Sequence, residues 1–220
     1  MSWAFTSAVV FDLDGVVVDS FQVMRQAFQV AYAEVVGPGP APFAEYHRHQ
    51  GRFFPDIMRI MGLPAGMEEP FVRESHRLRD QIVVYPGVVD LLVGLRGRGY
   101  RLAVATGKSG DRARGLLDHL GLLRWFHHVI GSDEVARPKP APDIVLRALE
   151  LLGAGPSEAV MIGDAVTDMR SAQGAGARSA AALWCGPDEA ELLAAGPDLV
   201  LRRPGELLAF LPVRPARPDR

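Results

Sequence analysis

Two carboxylates one residue apart, Asp12 and Asp14, follow directly on the apolar run Ala8-Val9-Val10-Phe11 and are succeeded by Gly15. Such a run reads as a buried strand, and acids at its carboxyl end stand where open α/β folds bind their ligands. The spacing lets one short stretch of chain present several oxygens to a hard cation, a side-chain oxygen from Asp12 and the main-chain carbonyl of Asp14. Magnesium prefers oxygen ligands of this kind and keeps several waters. A lone Asp in this place reads as a turn residue that ends a strand; the pair, with the partners below, reads as chemistry.

A second apolar run, Leu102 to Ala105, ends at Thr106-Gly107-Lys108. That turn offers a hydroxyl, a main-chain N–H and an ammonium, the group types that hold a phosphate. Gly107-Lys108-Ser109 imitates the end of a nucleotide-binding loop, G-x-x-x-x-G-K-[ST]. The glycine that such a loop needs five residues before Gly107 is Leu102, inside the strand, so the ATPase reading is rejected. Lys139 sits in Arg137-Pro138-Lys139-Pro140-Ala141-Pro142-Asp143, a stiff loop leading into a helix expected to start near Ala141, and a helix entrance favours an anion. Of the 24 Lys and Arg side chains only two are lysines, Lys108 and Lys139, and both fall at these strand-end loops. Where Arg serves elsewhere, Lys suggests that a compact point charge is needed. Val160-Met161-Ile162-Gly163-Asp164 delivers one more acid, which can complete a metal site with Asp12 and Asp14. For Asp168, four residues later, two roles stand equally: offsetting the dipole at a helix N-terminus, or ordering metal-bound waters from behind the ligands.

To bring these loops together the chain needs strands whose carboxyl ends share one edge. Apolar runs at Ala8 to Phe11, Leu102 to Ala105, Val129 to Ile130 and Val160 to Ile162 alternate with helical patterns such as Leu116, Leu117, Leu120 and Ile144, Ala148, Leu151. Strand alternating with helix predicts a doubly wound, mainly parallel α/β sheet. Between Val17 and Tyr85 the alternation fails and helical patterns predominate, broken at Gly37-Pro38-Gly39-Pro40 and Gly62-Leu63-Pro64. The expected organisation is an α/β core over residues 1–16 and 86–212, an inserted helical lobe over 17–85 entered and left by a two-strand hinge, and a loose tail over 213–220.

At 220 residues, with 48% hydrophobic and 23% charged side chains, the chain has the composition of a globular protein that folds unaided. A net charge of −2 gives no electrostatic footprint for nucleic acid or an anionic membrane. Met1 to Val10 has no basic leader and runs at once into acids, so neither a signal peptide nor a membrane span is expected. Cys185 is the one cysteine and has no partner for a disulfide or a zinc spacing. A cytoplasmic location and a small-molecule partner are the expectations.

Four strand ends carrying Asp/Asp, Thr/Lys, Lys and Asp/Asp in that order resemble the haloacid dehalogenase superfamily motif for motif across the whole core. The resemblance implies a Rossmann-like core with a small helical C1 cap and a Mg²⁺-dependent phosphomonoester hydrolase acting on a small phosphate ester. It further implies that Asp12 forms an aspartyl-phosphate, and that Asp14 protonates the leaving alcohol and then activates water. Thr106 and Lys139 would hold the phosphate, with Gly107 and Lys108 at the same turn, while Asp12, the Asp14 carbonyl and Asp164 would hold Mg²⁺. Such a mechanism asks the two acids for opposite tuning, Asp12 ionised and Asp14 able to hold a proton.

Within the superfamily the chain is similar to phosphoglycolate phosphatase-like proteins and, among them, to proteins associated with 3-amino-5-hydroxybenzoate synthesis in ansamycin-type antibiotic pathways. Phe54 to Pro64, Ala105 to Gly110 and Val129 to Glu134 carry that likeness, which implies a sugar or aminosugar phosphate as substrate. β-Phosphoglucomutase-like transfer and a catalytically silent scaffold are the alternatives. True haloacid dehalogenases lack an acid two residues after the nucleophile, so Asp14 disfavours their chemistry. In the cap, His47 to Pro55 places Gly51 among basic and aromatic residues, suited to a substrate-facing loop in which His49 and Arg52 are candidate specificity residues. For Arg52 a solvated surface role stands equally.

Overall fold

A computed structural model describes residues 3–186 and 188–214. The chain forms β1 (Ala8–Phe11) and a short β2 (Val18–Asp19), then four helices, α1 (Phe21–Val35), α2 (Phe43–Arg48), α3 (Phe54–Met61) and α4 (Glu68–Arg77), and returns through β3 (Val83–Val84). Helix and strand then alternate: α5 (Val88–Gly97), β4 (Arg101–Ala105), α6 (Gly110–His119), β5 (His128–Ile130), α7 (Asp143–Leu152), β6 (Ala159–Gly163), α8 (Val166–Gly174), β7 (Arg178–Ala182), α9 (Glu189–Ala194) and β8 (Leu199–Leu201). Helix α7 begins two residues later than the sequence suggests, because Pro142 takes the position before it.

Six strands make one sheet in the order β5-β4-β1-β6-β7-β8, and every pair in it is parallel. Period-two alternation sorts the side chains. Val9, Phe11, Leu102, Val104, Val160 and Ile162 pack under α5 and α6, whereas Ala8, Val10, Ala103 and Met161 pack under α7 and α8. Connections from β1 and β4 run over the first face and those from β5 and β6 over the second. The reversal lies between β1 and β6, and it opens a crevice at their carboxyl ends. Asp12 and Asp164 are the residues that follow those two strands.

The four helices α1 to α4 bury an apolar cluster of their own around Phe28, Phe43, Tyr46, Phe54, Met58 and Phe71. Its rings are close, with Phe28 stacked on Tyr46 at 4.6 Å and Phe54 on Phe71 at 4.3 Å. Strands β2 and β3 pair antiparallel, Val18 opposite Val84, and form the two-strand passage between the lobes. Val17, Val18, Val23, Leu78 and Ile82 join the cluster of the main sheet, so both ends of the inserted segment are anchored on the α/β core. Arg214 is tied down as well: its N–H donates to the Arg98 carbonyl at 3.1 Å, its guanidinium lies 5.7 Å from the Tyr100 ring, and it bonds the Thr6 carbonyl. The expected loose tail therefore does not begin at 213; residues 215–220 lie outside the described residues. Among the described residues no helix is long and apolar enough to cross a membrane.

Candidate active site

Asp12 extends the β1–β6 ladder by one residue, its N–H donating to the Ile162 carbonyl at 2.9 Å, which fixes its side chain at the mouth of the crevice. Lys139 reaches it from the proline-rich loop. The Lys139 ammonium donates to Asp12 Oδ1 at 2.9 Å, to Asp168 Oδ1 at 2.7 Å and to the Ala105 carbonyl at 3.0 Å. An ammonium has three N–H bonds, so this one is saturated. Its side chain is fully buried; desolvation alone would lower its pKa, but Asp12 and Asp168 outweigh it and keep the charge. The loop is braced on both sides, by Arg137 on Asp143 at 2.8 Å and by the Ser171 hydroxyl on the Ala141 carbonyl at 2.7 Å. Asp168 Oδ2 accepts the Ala165 N–H at 3.1 Å. One fully buried carboxylate thus caps α8 and holds Lys139, a second partnership absent from both sequence-based roles.

Asp164, after β6, faces Asp12. Carboxylate oxygens of Asp12, Asp164 and Asp168 lie within 4.8 Å of one another. Asp164 Oδ1 is buried with no hydrogen-bond partner, and Oδ2 is 3.6 Å from the Cys185 thiol. Burial pushes the Asp12 pKa up to about 7, against the pull of Lys139, with Asp168 and Asp14 adding repulsion. Burial and the neighbouring Asp12 and Asp168 raise Asp164 well above the ordinary carboxylate range. Crowded acids that burial would neutralise, one of them with an orphaned oxygen, are a donor set that suits a hard divalent cation.

The Asp14 side chain turns away from this cluster. The Ser20 hydroxyl donates to Asp14 Oδ1 at 2.6 Å, and the Lys108 ammonium stands 3.2 Å from Oδ2. Burial would raise this acid, but Lys108, Ser20 and the more distant Arg112 outweigh it and hold the carboxyl below its usual value. Without a bound ester, Lys108 and Ser20 thus favour the ionised form of Asp14.

Thr106 is buried, its Oγ1 accepting the Lys108 N–H at 3.2 Å and its carbonyl the Ser132 hydroxyl at 3.0 Å. Gly107 lies directly beneath the helical lobe. A Cβ built there falls 2.7 Å from the carbonyl oxygens of both Gly51 and Arg52. Gly51, at φ +86°, is equally tight on its other side, where a Cβ would stand 2.5 Å from Thr167 Oγ1. Only glycines allow this approach, and the 50–52 loop becomes a roof over the strand ends. Under it is a chamber of about 40 Å³ lined in part by Asp12, Asp14, Thr106, Gly107, Lys108 and Arg52. A second, open cleft of about 920 Å³ runs along the Asp164 side, past Ser20, His49, Arg52 and Cys185.

Of the residues singled out from sequence, Asp12, Asp14, Thr106, Gly107, Lys108 and Arg52 line the chamber, while His49 and Asp164 line only the cleft. Lys139 and Asp168 line neither space and stand behind Asp12. Ser20, Tyr46 and Arg112 were not legible as site residues. Arg112 lies in the first turn of α6, whereas Lys108 precedes the helix, so no helical spacing links the two in the sequence.

The description "haloacid dehalogenase-like hydrolase" matches residues 6–176 of the chain. A probable phosphatase, IndB, of Dickeya dadantii is 33% identical over 206 residues, covering 88% of this chain and 88% of that protein. A phosphoglycolate phosphatase of Aquifex aeolicus is 29% identical over 219 residues, covering 92% and 95%. Among solved structures, a hydrolase from Pseudomonas syringae superposes with a TM-score of 0.82 at 29% identity, over 93% of this chain and 97% of that one. The match takes in the strand ends at Asp12, Thr106, Lys139 and Asp164 together with the helical insert between the first two, and the chain belongs to the haloacid dehalogenase-like hydrolase family.

Proposed function

We propose that the protein is a phosphomonoester hydrolase that works through an aspartyl-phosphate on Asp12. The observation that carries this reading is the setting of Asp12: a buried carboxylate held by Lys139, faced by the orphaned oxygen of Asp164, at the floor of a chamber walled by Thr106, Gly107 and Lys108. Asp12, Asp164 and the Asp14 carbonyl would hold Mg²⁺. Bound there, the cation supplies positive charge that lets an anionic carboxylate approach an anionic ester.

Asp12 attacks phosphorus, the ester P–O bond breaks, and the departing oxygen takes a proton from Asp14. In the second half Asp14 takes a proton from water, the water oxygen bonds phosphorus, and the bond to Asp12 breaks to release phosphate. Lys108 links binding to this proton traffic. Drawn from Asp14 to the phosphoryl oxygens, it removes the ion pair that favours ionised Asp14, which takes up a proton from water before the ester bond breaks. The Gly51–Arg52 roof keeps bulk water from the reacting atoms. Lys139 contributes through Asp12, since its three donors are already taken.

The substrate is a small phosphorylated metabolite. The likeness to proteins of 3-amino-5-hydroxybenzoate synthesis offers a sugar or aminosugar phosphate of an antibiotic pathway, and the Aquifex relative's name offers phosphoglycolate. Phosphate release from a panel of these esters and an aryl phosphate, with and without Mg²⁺ and with Asp12→Asn as control, tests the reading. Release that persists in Asp12→Asn, or the absence of release from every ester by folded protein, refutes it.

A further inference from the structure

Two cations of the chamber lining, Arg52 and Arg112, lend no side chain to the chemistry above, and Arg112 is the one set against an aromatic wall. Arg112 lies in the first turn of α6 with its guanidinium 5.6 Å from the Phe71 ring centre, and lines the chamber with Tyr46, Phe54 and Met24. Among the described residues it makes no hydrogen bond and no ion pair; Asp14, Tyr46 and Glu68 act on it only through space. Both lysines of the site, by contrast, have carboxylate partners, Lys108 in Asp14 and Lys139 in Asp12 and Asp168. Once those pairs are cancelled, the chamber lining keeps the charges of Arg52 and Arg112 without counterions.

Position decides what Arg112 can meet. It lines the same small chamber as Asp14 and Lys108, and Asp14 is the acid proposed to deliver a proton to the departing oxygen. The leaving group therefore occupies the Arg112 side. A guanidinium presents a planar fork of donors that fits a carboxylate or phosphate in bidentate fashion. The aromatic wall fixes its plane and excludes the water that would weaken the pairing. At about 40 Å³ the chamber admits a small group only.

We propose that Arg112 is a specificity-determining residue which pairs with an anionic group on the leaving portion of a small phosphate ester. The inference rests on the phosphatase reading and chooses among its candidate substrates: a carboxylate two or three bonds from the ester oxygen satisfies Arg112, a neutral sugar leaves it unpaired, and an aminosugar's ammonium is repelled by it.

Three esters of one skeleton isolate the charge: phosphoglycolate, 2-hydroxyethyl phosphate and 2-aminoethyl phosphate. Wild-type kcat/KM should fall in that order. Arg112→Gln should lose on the order of 10- to 100-fold on phosphoglycolate, the scale of a hydrogen-bonded charge pair, and about 3-fold or less on the hydroxyethyl ester. Arg112→Lys should recover part of the difference. A flat or reversed order in the wild type overturns the proposal without any variant, and an equal loss on all three esters in Arg112→Gln overturns it as a merely structural effect. Turnover with a flat order leaves the phosphatase reading standing, whereas no turnover of any ester, aryl phosphate included, removes both.

Discussion

Substituting Gly107 by alanine probes the roof by one methyl group. The added Cβ would stand 2.7 Å from the Gly51 and Arg52 carbonyl oxygens and 2.8 Å from the Gly51 carbonyl carbon. Carbon-to-oxygen contacts settle near 3.3 Å, so the roof must rise by about 0.6 Å, because the opposing atoms are backbone and cannot rotate away. Gly107 is not among the glycines at positive φ, so alanine costs no strain in the core and keeps its N–H. Misplacement by about 1 Å costs on the order of 10²-fold when groups must be held in attack geometry, so a rise of roughly half that predicts about a 10-fold loss in kcat/KM. Forcing the roof up should cost about 1–3 kcal/mol of stability, while Mg²⁺ affinity should be unchanged, since Asp12 and Asp164 are untouched. Steady-state phosphate release, a melting curve and calorimetric Mg²⁺ titration on one preparation separate these effects. Full activity in Gly107→Ala would show that the closed roof is not the working state, and a loss of metal affinity in step with activity would show that the methyl acts on the floor of the site.

Asp14→Asn keeps an oxygen for Ser20 and the main-chain carbonyl for the cation, so kcat should fall by on the order of 10²- to 10⁴-fold while Mg²⁺ binding is retained; parallel losses would contradict that division of roles. In the metal-free protein the raised pKa values of Asp12, up to about 7 from 3.8, and of Asp164 mean that the folded state holds protons the unfolded chain has released. Stability then falls as pH rises through that window, and Mg²⁺ should raise the melting temperature more near about pH 8 than near about pH 5; equal shifts would be inconsistent with the two acids as its ligands. Phe28→Ala, at a fully buried position, should cost about 3–5 kcal/mol. Because that cluster is separate from the sheet's, hydrogen exchange should speed in α1 to α4 and leave β1 and β6 protected, whereas uniform loss would mean that the two lobes unfold together.

The strand-end residues were legible because each follows an apolar run, and a parallel sheet forces such ends to one edge. The same rule failed for β7, Arg178–Ala182, whose Ala-rich sequence lacks the β-branched signal of a strand. It forms because β6 supplies one partner and β8, three residues long, the other. Arg112 was invisible for a different reason. An arginine between Asp111 and Ala113 on an amphipathic helix reads as solvent-facing, and only the lobe folded over α6 gives it an aromatic ceiling. Contacts between residues 51 and 107, or 71 and 112, belong to the closure of two lobes, and no local pattern encodes them.

The sparing use of lysine follows from the same geometry. Behind Asp12 there are three acceptors, two carboxylate oxygens and the Ala105 carbonyl, in a fully buried place, and Lys139 has three N–H bonds to give them. An arginine there would bring five donors and leave two unsatisfied without access to water, each costing about 1–3 kcal/mol. On the proposed phosphatase reading Lys108 has the opposite need, a compact charge able to move from the Asp14 carboxylate to a phosphoryl oxygen without re-registering a planar fork. Arg112, against an aromatic ring and without a counterion, stands where a fixed planar fork is the better device. On that reading the choice between the two cations tracks what each would do: saturate a buried acid pair, exchange partners during turnover, or wait for an anion.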